Sequence, residues 1–214
     1  MIKATLATTL AAIALLAAPG VAHAQQPKDD TPPVAFGDNA EKPEEDTAPA
    51  ALRTFSPINY DPAVDPENVW VLDLSNGQRV KARLKADWAP GHVERIKTLT
   101  RAGFYDGVVF HRVINGFMAQ GGDPTGTGMG GSDKPDLAAE FNAEPHVEGV
   151  CSMARAQNPN SANSQFFICL DDARFLDKQY TVWGQVTSGM EHVHALPKGE
   201  PPRSPGKIVK ATVG

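Results

Sequence analysis

The sequence predicts a mainly β domain, built as an antiparallel barrel with two helices, over residues 67–214. Three observations indicate this fold. The dipeptide Asn76-Gly77 separates two strand-like runs, many further short apolar runs are divided by Gly, Pro and Asn, and only two segments repeat apolar residues at helical spacing. Such a pattern is typical of antiparallel all-β architectures with few helices.

The first two predicted strands form a hairpin. Residues 68–74 and 79–85 flank Asn76-Gly77, and the second run alternates apolar and basic side chains from Val80 to Lys85. Alternation with period two places one set of side chains on each face of a sheet. Because Asn-Gly is the strongest short-range signal for a hairpin turn, we expect these two strands to be antiparallel neighbours.

A helix is predicted after the hairpin. Pro90 stands at a plausible first helical position, Val93, Ile96 and Leu99 recur at helical spacing, and Gly103 follows as a stop signal. Further strands are predicted over residues 108–114, 117–120, 149–154, 165–170, 181–186 and 208–213, with a short second helix around 190–196.

Residues 1–24 have the pattern of a cleaved secretory signal peptide. Lys3 lies in a short basic stretch, an apolar run extends over residues 6–18, and Ala22-His23-Ala24 supplies the small residues of a cleavage site. The apolar run is shorter than the roughly 20 residues that a membrane-spanning helix needs. Stable membrane insertion after cleavage is therefore not expected.

Residues 25–66 are predicted to be a disordered acidic linker rich in Pro and Ala. They contain nine acidic and three basic side chains and no sustained apolar period, so they cannot bury enough apolar surface to fold. Residues 67–214 contain sixteen acidic and sixteen basic side chains. This balance argues against nucleic-acid binding, which needs clustered positive charge.

Three other chemistries have weak support in the sequence. Cys151 and Cys169 lie in apolar runs and are interpreted as buried thiols, although an oxidising compartment would permit a disulfide. With no CxxC pair and scattered histidines, no metal site is expected. Gly126, Gly128 and Gly131 match the spacing GxGxxG, but no helix follows, so we interpret them as a loop with positive backbone angles rather than a cofactor site.

Three segments combine a basic or amide group with large apolar side chains. They are FHRVINGFMAQGGD over residues 110–123, SMARA over 152–156 and NSQFFICL over 163–170. Arg112 is unusual in an apolar run, because arginine is seldom buried without a partner; an outward-facing strand arginine is the alternative. The segments closely resemble the cyclophilin family of peptidyl-prolyl cis-trans isomerases, and the likeness covers about residues 67–214.

The resemblance implies a closed eight-stranded antiparallel β-barrel capped by two α-helices, with a proline-binding groove on its outer face. It implies Arg112 as the catalytic cation, without a cofactor or a metal. His111, next to it, is expected to be a structural histidine whose hydrogen bonds are satisfied inside the barrel. The residues implied to bind substrate are Phe117, Met118, Gln120, Ala154, Arg155, Phe167, Leu176, Phe175 and Tyr180.

The resemblance also implies roles within this set. Phe117, Met118, Phe167 and Leu176 would form the apolar pocket for the proline ring, and Arg155 would contribute mainly backbone contacts. Many eukaryotic members carry Trp, His and Asn where this chain has Phe175, Tyr180 and Arg155, and the Phe and Tyr look like bacterial members.

The expected function is an isomerase that assists the folding of exported proteins. Its partners would be proline-containing unfolded or partly folded polypeptides, and a monomer is expected. The signal peptide and the bacterial features indicate the periplasm, with secretion as the second choice. The alternative is a non-catalytic module on the same fold, which grips proline-bearing segments as a chaperone or scaffold.

Overall fold

Eight strands, two α-helices and two 3-10 helices follow one another in residues 65–214, the part of the chain that the structure, a computed structural model, describes. This content confirms the predicted mainly β class with two helices. The 3-10 helices are Pro66–Asn68 and Arg174–Leu176. The other elements are β1 (Val69–Leu74), β2 (Arg79–Leu84), α1 (Pro90–Arg101), β3 (Arg112–Ile114), β4 (Met118–Gly121), β5 (Val150–Met153), β6 (Phe166–Cys169), β7 (Val182–Ser188), α2 (Met190–His194) and β8 (Ile208–Val213).

The predicted hairpin is confirmed. β1 and β2 pair in antiparallel register, with Asp73 opposite Arg79. Gly77 has a φ of +80°, a conformation that glycine adopts without steric cost, and its N–H donates to the carbonyl of Leu74 at 2.9 Å. The Asn-Gly sequence therefore forms the turn for the physical reason that predicted it.

The predicted first helix is also confirmed, and it begins at Pro90. Its first free N–H groups, those of Gly91 and His92, donate to the two carboxylate oxygens of Glu140 at 3.0 Å each. The Nδ1 atom of His92 lies 2.6 Å from one of the same oxygens. A carboxylate from a distant loop thus caps the helix, which has no capping side chain of its own.

All eight strands belong to one antiparallel sheet in the order β3-β4-β6-β5-β7-β2-β1-β8. The edge strands β3 and β8 share no ladder, so the sheet is a half-barrel, and the closed barrel that the resemblance implied is wrong. Isolated contacts such as the Phe110 N–H to Gly206 carbonyl bond, 2.8 Å, run between the edges. A continuous ladder cannot form there, because the opposing segment 201–205 contains three prolines, which lack an N–H.

The main core is an aromatic cluster inside the half-barrel. Phe166 lies within 5.0 to 6.3 Å of the rings of Trp70, Tyr105, Phe110 and Trp183, always edge to face, and all five side chains are at most 1% exposed. Such pairs add to the free energy gained by burial. A second apolar cluster, centred on Met118 and Phe167, contains the alternate residues of β4 and β6. It therefore lies on the opposite face of the sheet.

The folded domain begins at or before Asp65. The carboxylate of Asp65 pairs with Nη2 of the buried Arg83 at 2.5 Å, and the first 3-10 helix starts at Pro66. These two residues, predicted as the end of the linker, therefore belong to the domain. The rest of the predicted linker and the predicted signal peptide lie outside the described residues. Neither α-helix of residues 65–214 has the length and apolar composition that a membrane-spanning segment requires.

Candidate active site

A cavity of about 520 Å³ opens on the sheet face opposite to the aromatic core. It brings together Arg112 and eight of the nine predicted substrate-binding residues, and Phe175 lies just outside the lining. The residues that line it are His111, Arg112, Phe117, Met118, Gln120, Gly126, Thr127, Gly128, Ala154, Arg155, Phe167, Leu176, Tyr180, Glu200 and Pro201.

Arg112 enters this cavity from the edge strand β3. Its Nε donates to Oε2 of Glu200 at 2.6 Å, and the two side chains are 40% and 52% exposed. Within residues 65–214 the Arg112 side chain makes no other hydrogen bond. The two Nη groups therefore remain open to a ligand, since guanidinium has five N–H donors. The cation lies at the mouth of the cavity and is accessible to solvent.

The floor of the cavity is apolar. Met118 of β4 and Phe167 of β6 are 2% and 5% exposed, and they belong to the same apolar cluster. Strand alternation explains their position, because Phe166, the neighbour of Phe167, points into the aromatic core instead. Two consecutive phenylalanines thus serve two different sides of the sheet.

Two aromatic rings form the rim. Phe117 lines the cavity, and its ring centroid lies 5.4 Å from that of Phe175. Phe175 is 66% exposed, which is high for a phenylalanine. Leu176 follows it in the second 3-10 helix and reaches the cavity. The rim therefore continues the apolar surface of the floor out to solvent.

A pair of glutamines joins the strands to the glycine-rich loop 124–131. Gln120 stands opposite Arg112 in the β3–β4 ladder, and its Nε2 donates to Oε1 of Gln165 at 2.9 Å. Gln165 in turn donates to the carbonyls of Gly128 and Gly130 at 3.0 and 2.8 Å. The loop wall of the cavity is thus tied to β4, the strand that pairs with both β3 and β6.

Asp123 organises the same loop. Its buried carboxylate accepts the N–H groups of Thr125, Thr127, Gly128 and Gly130 at 2.6 to 3.1 Å. Burial alone would raise the pKa of Asp123, but hydrogen bonds from Thr125, Gly130 and Gly128 hold the pKa far below its usual range. Gly126 and Gly128 have positive φ, as predicted for this loop, whereas Gly131 does not.

We expect Asp123→Asn to lower the free energy of unfolding at neutral pH by about 1 to 3 kcal/mol, because buried N–H groups lose an ionised acceptor. A depressed folded-state pKa stabilises the fold above the unfolded-state pKa, about 3.9, and this stabilisation is lost as the pH falls towards the folded-state pKa. The difference between variant and wild type should therefore shrink below about pH 4.

Urea unfolding of both proteins between about pH 7 and about pH 3 measures this difference. Asp133→Asn is the matched control, because Asp133 is exposed in the adjoining loop, and it should match wild type throughout. A difference for Asp123→Asn that stays constant down to the lowest pH would contradict the assignment.

His111 differs from the prediction. It is 6% exposed, as expected for a structural histidine, but neither ring nitrogen has a hydrogen-bond partner among residues 65–214. The prediction of an internally satisfied ring is therefore wrong. Burial lowers the pKa of His111. The negative charge of Asp123 raises this pKa and the positive charge of Arg112 lowers it, and the net shift is downward. The ring is thus neutral at neutral pH, and it lines the cavity beside Gly128.

Arg155 is held by its own chain. Its guanidinium donates to the carbonyls of Gln179, Ala156 and Gln157 at 2.8 to 3.2 Å, and it lies 4.6 Å from the ring centroid of Tyr180. These contacts use the hydrogen-bond donors of the Arg155 guanidinium within the protein itself. The Arg155 side chain therefore forms part of the cavity wall together with Tyr180.

An Asp-His-Ser network lies behind the floor, with the Asp partly exposed and the other two side chains buried, and the sequence analysis missed it. His146 Nδ1 lies 2.9 Å from Asp177, and its Nε2 lies 3.0 Å from the hydroxyl of Ser152. That hydroxyl donates to the Thr181 carbonyl at 2.9 Å, and both His146 and Ser152 are 0% exposed. A hydroxyl without access to substrate cannot act as a nucleophile, so the network is structural.

The network supports the cavity from behind. The ring of His146 stacks on Phe167 at a centroid distance of 6.1 Å and an interplanar angle of 19°. The carbonyl of His146 also accepts the N–H of Ala173 at 2.8 Å, directly before the 3-10 helix that carries Leu176. No local sequence signal joins these residues, because Asp177 lies 31 positions after His146.

The two cysteines are free and buried, which confirms their interpretation as buried thiols. Cys151 belongs to the aromatic core and Cys169 to the cluster on the cavity face. Burial raises the pKa of both thiols, that of Cys169 to about 12. They lie outside the cavity lining.

The comparisons with known proteins agree with this geometry. Residues 71–213 match the family model described as cyclophilin type peptidyl-prolyl cis-trans isomerase/CLD. The chain is 52% identical over 167 residues to a probable peptidyl-prolyl cis-trans isomerase of Brucella suis, covering 71% of this chain and 85% of that protein. It is 41% identical over 128 residues to peptidyl-prolyl cis-trans isomerase B of Bacillus subtilis, covering 59% and 89%.

Solved structures show the same likeness. A cyclophilin from Hirschia baltica aligns with a TM-score of 0.64 and 33% identity, over 69% of this chain and 74% of that one. A cyclophilin type isomerase from Cryptosporidium parvum, crystallised in the presence of the dipeptide Ala-Pro, aligns with a TM-score of 0.63 and 28% identity, over 68% and 98%. The chain therefore belongs to the cyclophilin-type peptidyl-prolyl cis-trans isomerases.

Proposed function

We propose that Arg112 and the apolar cavity together catalyse rotation about X-Pro bonds in unfolded or partly folded polypeptides. The observation that carries this proposal is the meeting of a solvent-accessible guanidinium with the floor of Met118 and Phe167 in one cavity. The cation provides hydrogen-bond donors, and the floor offers a dry surface for a proline ring. The Ala-Pro present in the related Cryptosporidium structure supports a proline-containing ligand.

The chemistry of the amide explains why this pair suffices. Rotation about the bond has a barrier of about 18 to 20 kcal/mol, because twisting breaks the resonance between nitrogen and carbonyl. In the twisted state the nitrogen recovers its lone pair and becomes a better hydrogen-bond acceptor than in either planar state. A donor aimed at that nitrogen binds the transition state more tightly than the ground states, which is the condition for catalysis.

Arginine suits this role because it donates hydrogen bonds and keeps its proton at any working pH. In the structure the Glu200 carboxylate accepts a hydrogen bond from the Nε–H of Arg112, which leaves the Nη groups for the substrate. A preorganised donor contributes roughly 3 to 4 kcal/mol, so the apolar pocket must supply more. Phe117, Met118, Phe167 and Leu176 would hold the proline ring, fix the rotation axis and exclude water.

The remaining residues of the cavity would guide the polypeptide on either side of the proline. We assign Gln120 as a side-chain hydrogen-bonding group and Ala154 and Arg155 as backbone contacts, because the guanidinium of Arg155 is already bound to carbonyls of its own chain. Phe175 and Tyr180 would extend the contact surface at the rim and the wall. One chain supplies all these residues, so a monomer suffices.

Catalysis of refolding tests the proposal against a non-catalytic chaperone. We expect substoichiometric wild-type protein to accelerate a proline-limited refolding phase, which takes about 10 to 100 s at 25 °C uncatalysed, without changing the yield. A chaperone would instead raise the yield at stoichiometric amounts and leave the rate of that phase unchanged. A client without a proline-limited phase is the control. Failure of the protein to accelerate the phase would contradict the proposed activity.

We propose that the enzyme acts on exported proteins in the periplasm, with secretion as the second choice. The pattern of residues 1–24 supports export, and the even charge balance of residues 67–214 favours a polypeptide over a nucleic acid as its partner. Mass determination of the protein recovered from a periplasmic fraction tests this step. A mature chain starting at Gln25 is expected, and a chain that retains Met1 in the cytoplasm would contradict it.

A further inference from the structure

Glu200 lies at the mouth of the cavity, although it stands 88 positions after Arg112 in the sequence. It belongs to the segment between α2 and β8, in which Pro201 also lines the cavity. Glu200 has no partner other than Arg112 among the described side chains. The Glu200 carboxylate therefore interacts only with Arg112, the residue that we assign as the catalytic cation, among the described side chains.

The backbone that carries Glu200 is fixed to the strand that carries Arg112. The N–H of Gly199 donates to the Val113 carbonyl, and the N–H of Val113 donates to the Gly199 carbonyl, both at 2.9 Å. Gly199 has a φ of +148°, and a Cβ there would lie 2.6 Å from the Cα of Pro202. Glycine is thus required at 199, and the double hydrogen bond places Glu200 next to Arg112.

The direction of the ion pair determines which donors the substrate meets. Glu200 binds at Nε, 2.6 Å away, and so holds one edge of the planar guanidinium. The N–H groups of the two Nη atoms have no partner among residues 65–214 and are left for a ligand in the cavity. Because arginine loses much rotamer entropy when it is fixed, a partner that orients it in the free enzyme preorganises it for catalysis.

The charge of Glu200 has a second consequence. It neutralises Arg112, so that the mouth of the cavity does not present a free cation to acidic peptides. Among residues 65–214 the cavity lining contains three side chains of acidic or basic type that are charged at neutral pH, Arg112, Arg155 and Glu200, and the guanidinium of Arg155 is bound to backbone carbonyls. The carboxylate therefore repels an acidic side chain that approaches next to the proline.

We propose that Glu200 is a positioning and specificity-determining residue, which orients the Arg112 guanidinium through Nε and disfavours substrates with an acidic residue beside the proline. This inference rests on the proposed function of Arg112 and adds a residue that acts through it. It assigns a role to a segment that lies outside the motifs of residues 110–123, 152–156 and 163–170.

The test compares Glu200→Ala, Glu200→Gln and the control Glu191→Gln, since Glu191 is exposed on α2 and outside the cavity. Exchange NMR measures kcat and KM on X-Pro peptides with Gln, Glu or Lys on either side of the proline. Glu200→Ala should lower kcat on the Gln peptide by about threefold or more, as expected for a misplaced catalytic group. Glu200→Gln should lie between wild type and Glu200→Ala, because an amide oxygen still accepts the Nε–H.

Both substitutions should raise kcat/KM of the Glu peptide relative to the Lys peptide by about threefold or more on at least one side of the proline, because both remove the charge. The control should match wild type in both quantities. The proposal is overturned if Glu200→Ala keeps kcat within about twofold of wild type, or if the Glu-to-Lys ratio does not change.

A spectroscopic readout separates this inference from the proposed function. The Nε–H proton of Arg112 should exchange slowly with water in the wild type and rapidly in Glu200→Ala, irrespective of activity. An inactive wild type would contradict the proposed function alone, and the Nε–H exchange together with the Glu-to-Lys ratio of peptide affinities would still decide the role of Glu200. Equal Nε–H exchange in wild type and Glu200→Ala would overturn that role.

Discussion

Replacing Arg112 with alanine should lower kcat/KM for an X-Pro peptide by about 100- to 1000-fold, because one preorganised donor to the transition state is lost. The fold should survive, since the side chain is 40% exposed and its ion pair with Glu200 is accessible to solvent. Such pairs contribute about 0 to 1 kcal/mol to stability. The loss of activity should therefore appear without a matching loss of structure.

Arg79→Ala is the matched control for this experiment. Arg79 also donates its Nε to a carboxylate at 2.6 Å, that of Asp73, and it is exposed, but it lies on the β1–β2 hairpin outside the cavity. Exchange NMR of a peptide measures activity, and urea unfolding measures stability. If Arg112→Ala and Arg79→Ala have equal activity, the assignment of Arg112 is wrong.

Phe166→Ala should cost about 3 to 5 kcal/mol of unfolding free energy, the range for an aromatic side chain removed from a core. Phe166 is 0% exposed and contacts four other aromatic rings edge to face. The void cannot collapse easily, because rigid rings surround it. For a domain with a total stability of about 5 to 15 kcal/mol, this loss is large.

The denaturant midpoint at constant slope measures this loss. Phe141→Ala is the control, because that ring is 42% exposed, and its loss should be within about 1 kcal/mol. Equal losses for the two variants would contradict the placement of Phe166 at the centre of the core.

Local sequence patterns predict much of this fold, because the interactions that decide it are local. Asn76-Gly77 forms the hairpin turn through a glycine with positive φ, and Pro90 starts α1, as expected. The sheet edge was not predictable in this way. β3 covers only residues 112–114, because residues 108–110 form isolated contacts with residues 206–208, a segment that is remote in sequence.

The same limit applies to the candidate site. Arg112 and Phe167 could be found because they lie in long motifs that resemble a known family. Glu200 could not, since only the folded chain brings it to Arg112, and its own neighbours in sequence indicate a connecting tail. His111 shows the reverse error. Its burial was predictable from its apolar neighbours, but the lack of a hydrogen-bond partner for either ring nitrogen among residues 65–214 was not.

The central claim is that Arg112 binds the twisted amide more tightly than the planar one. Titration of an X-Pro peptide followed by NMR gives both the Kd and the interconversion rate of the bound peptide, for wild type and for Arg112→Ala. For Arg112→Ala, the account predicts a Kd within about threefold of wild type. It also predicts that the interconversion rate of the bound peptide falls by at least about 100-fold. A Kd that weakens as much as kcat/KM falls, with the bound rate unchanged, would show that Arg112 only holds the substrate, and it would contradict the account.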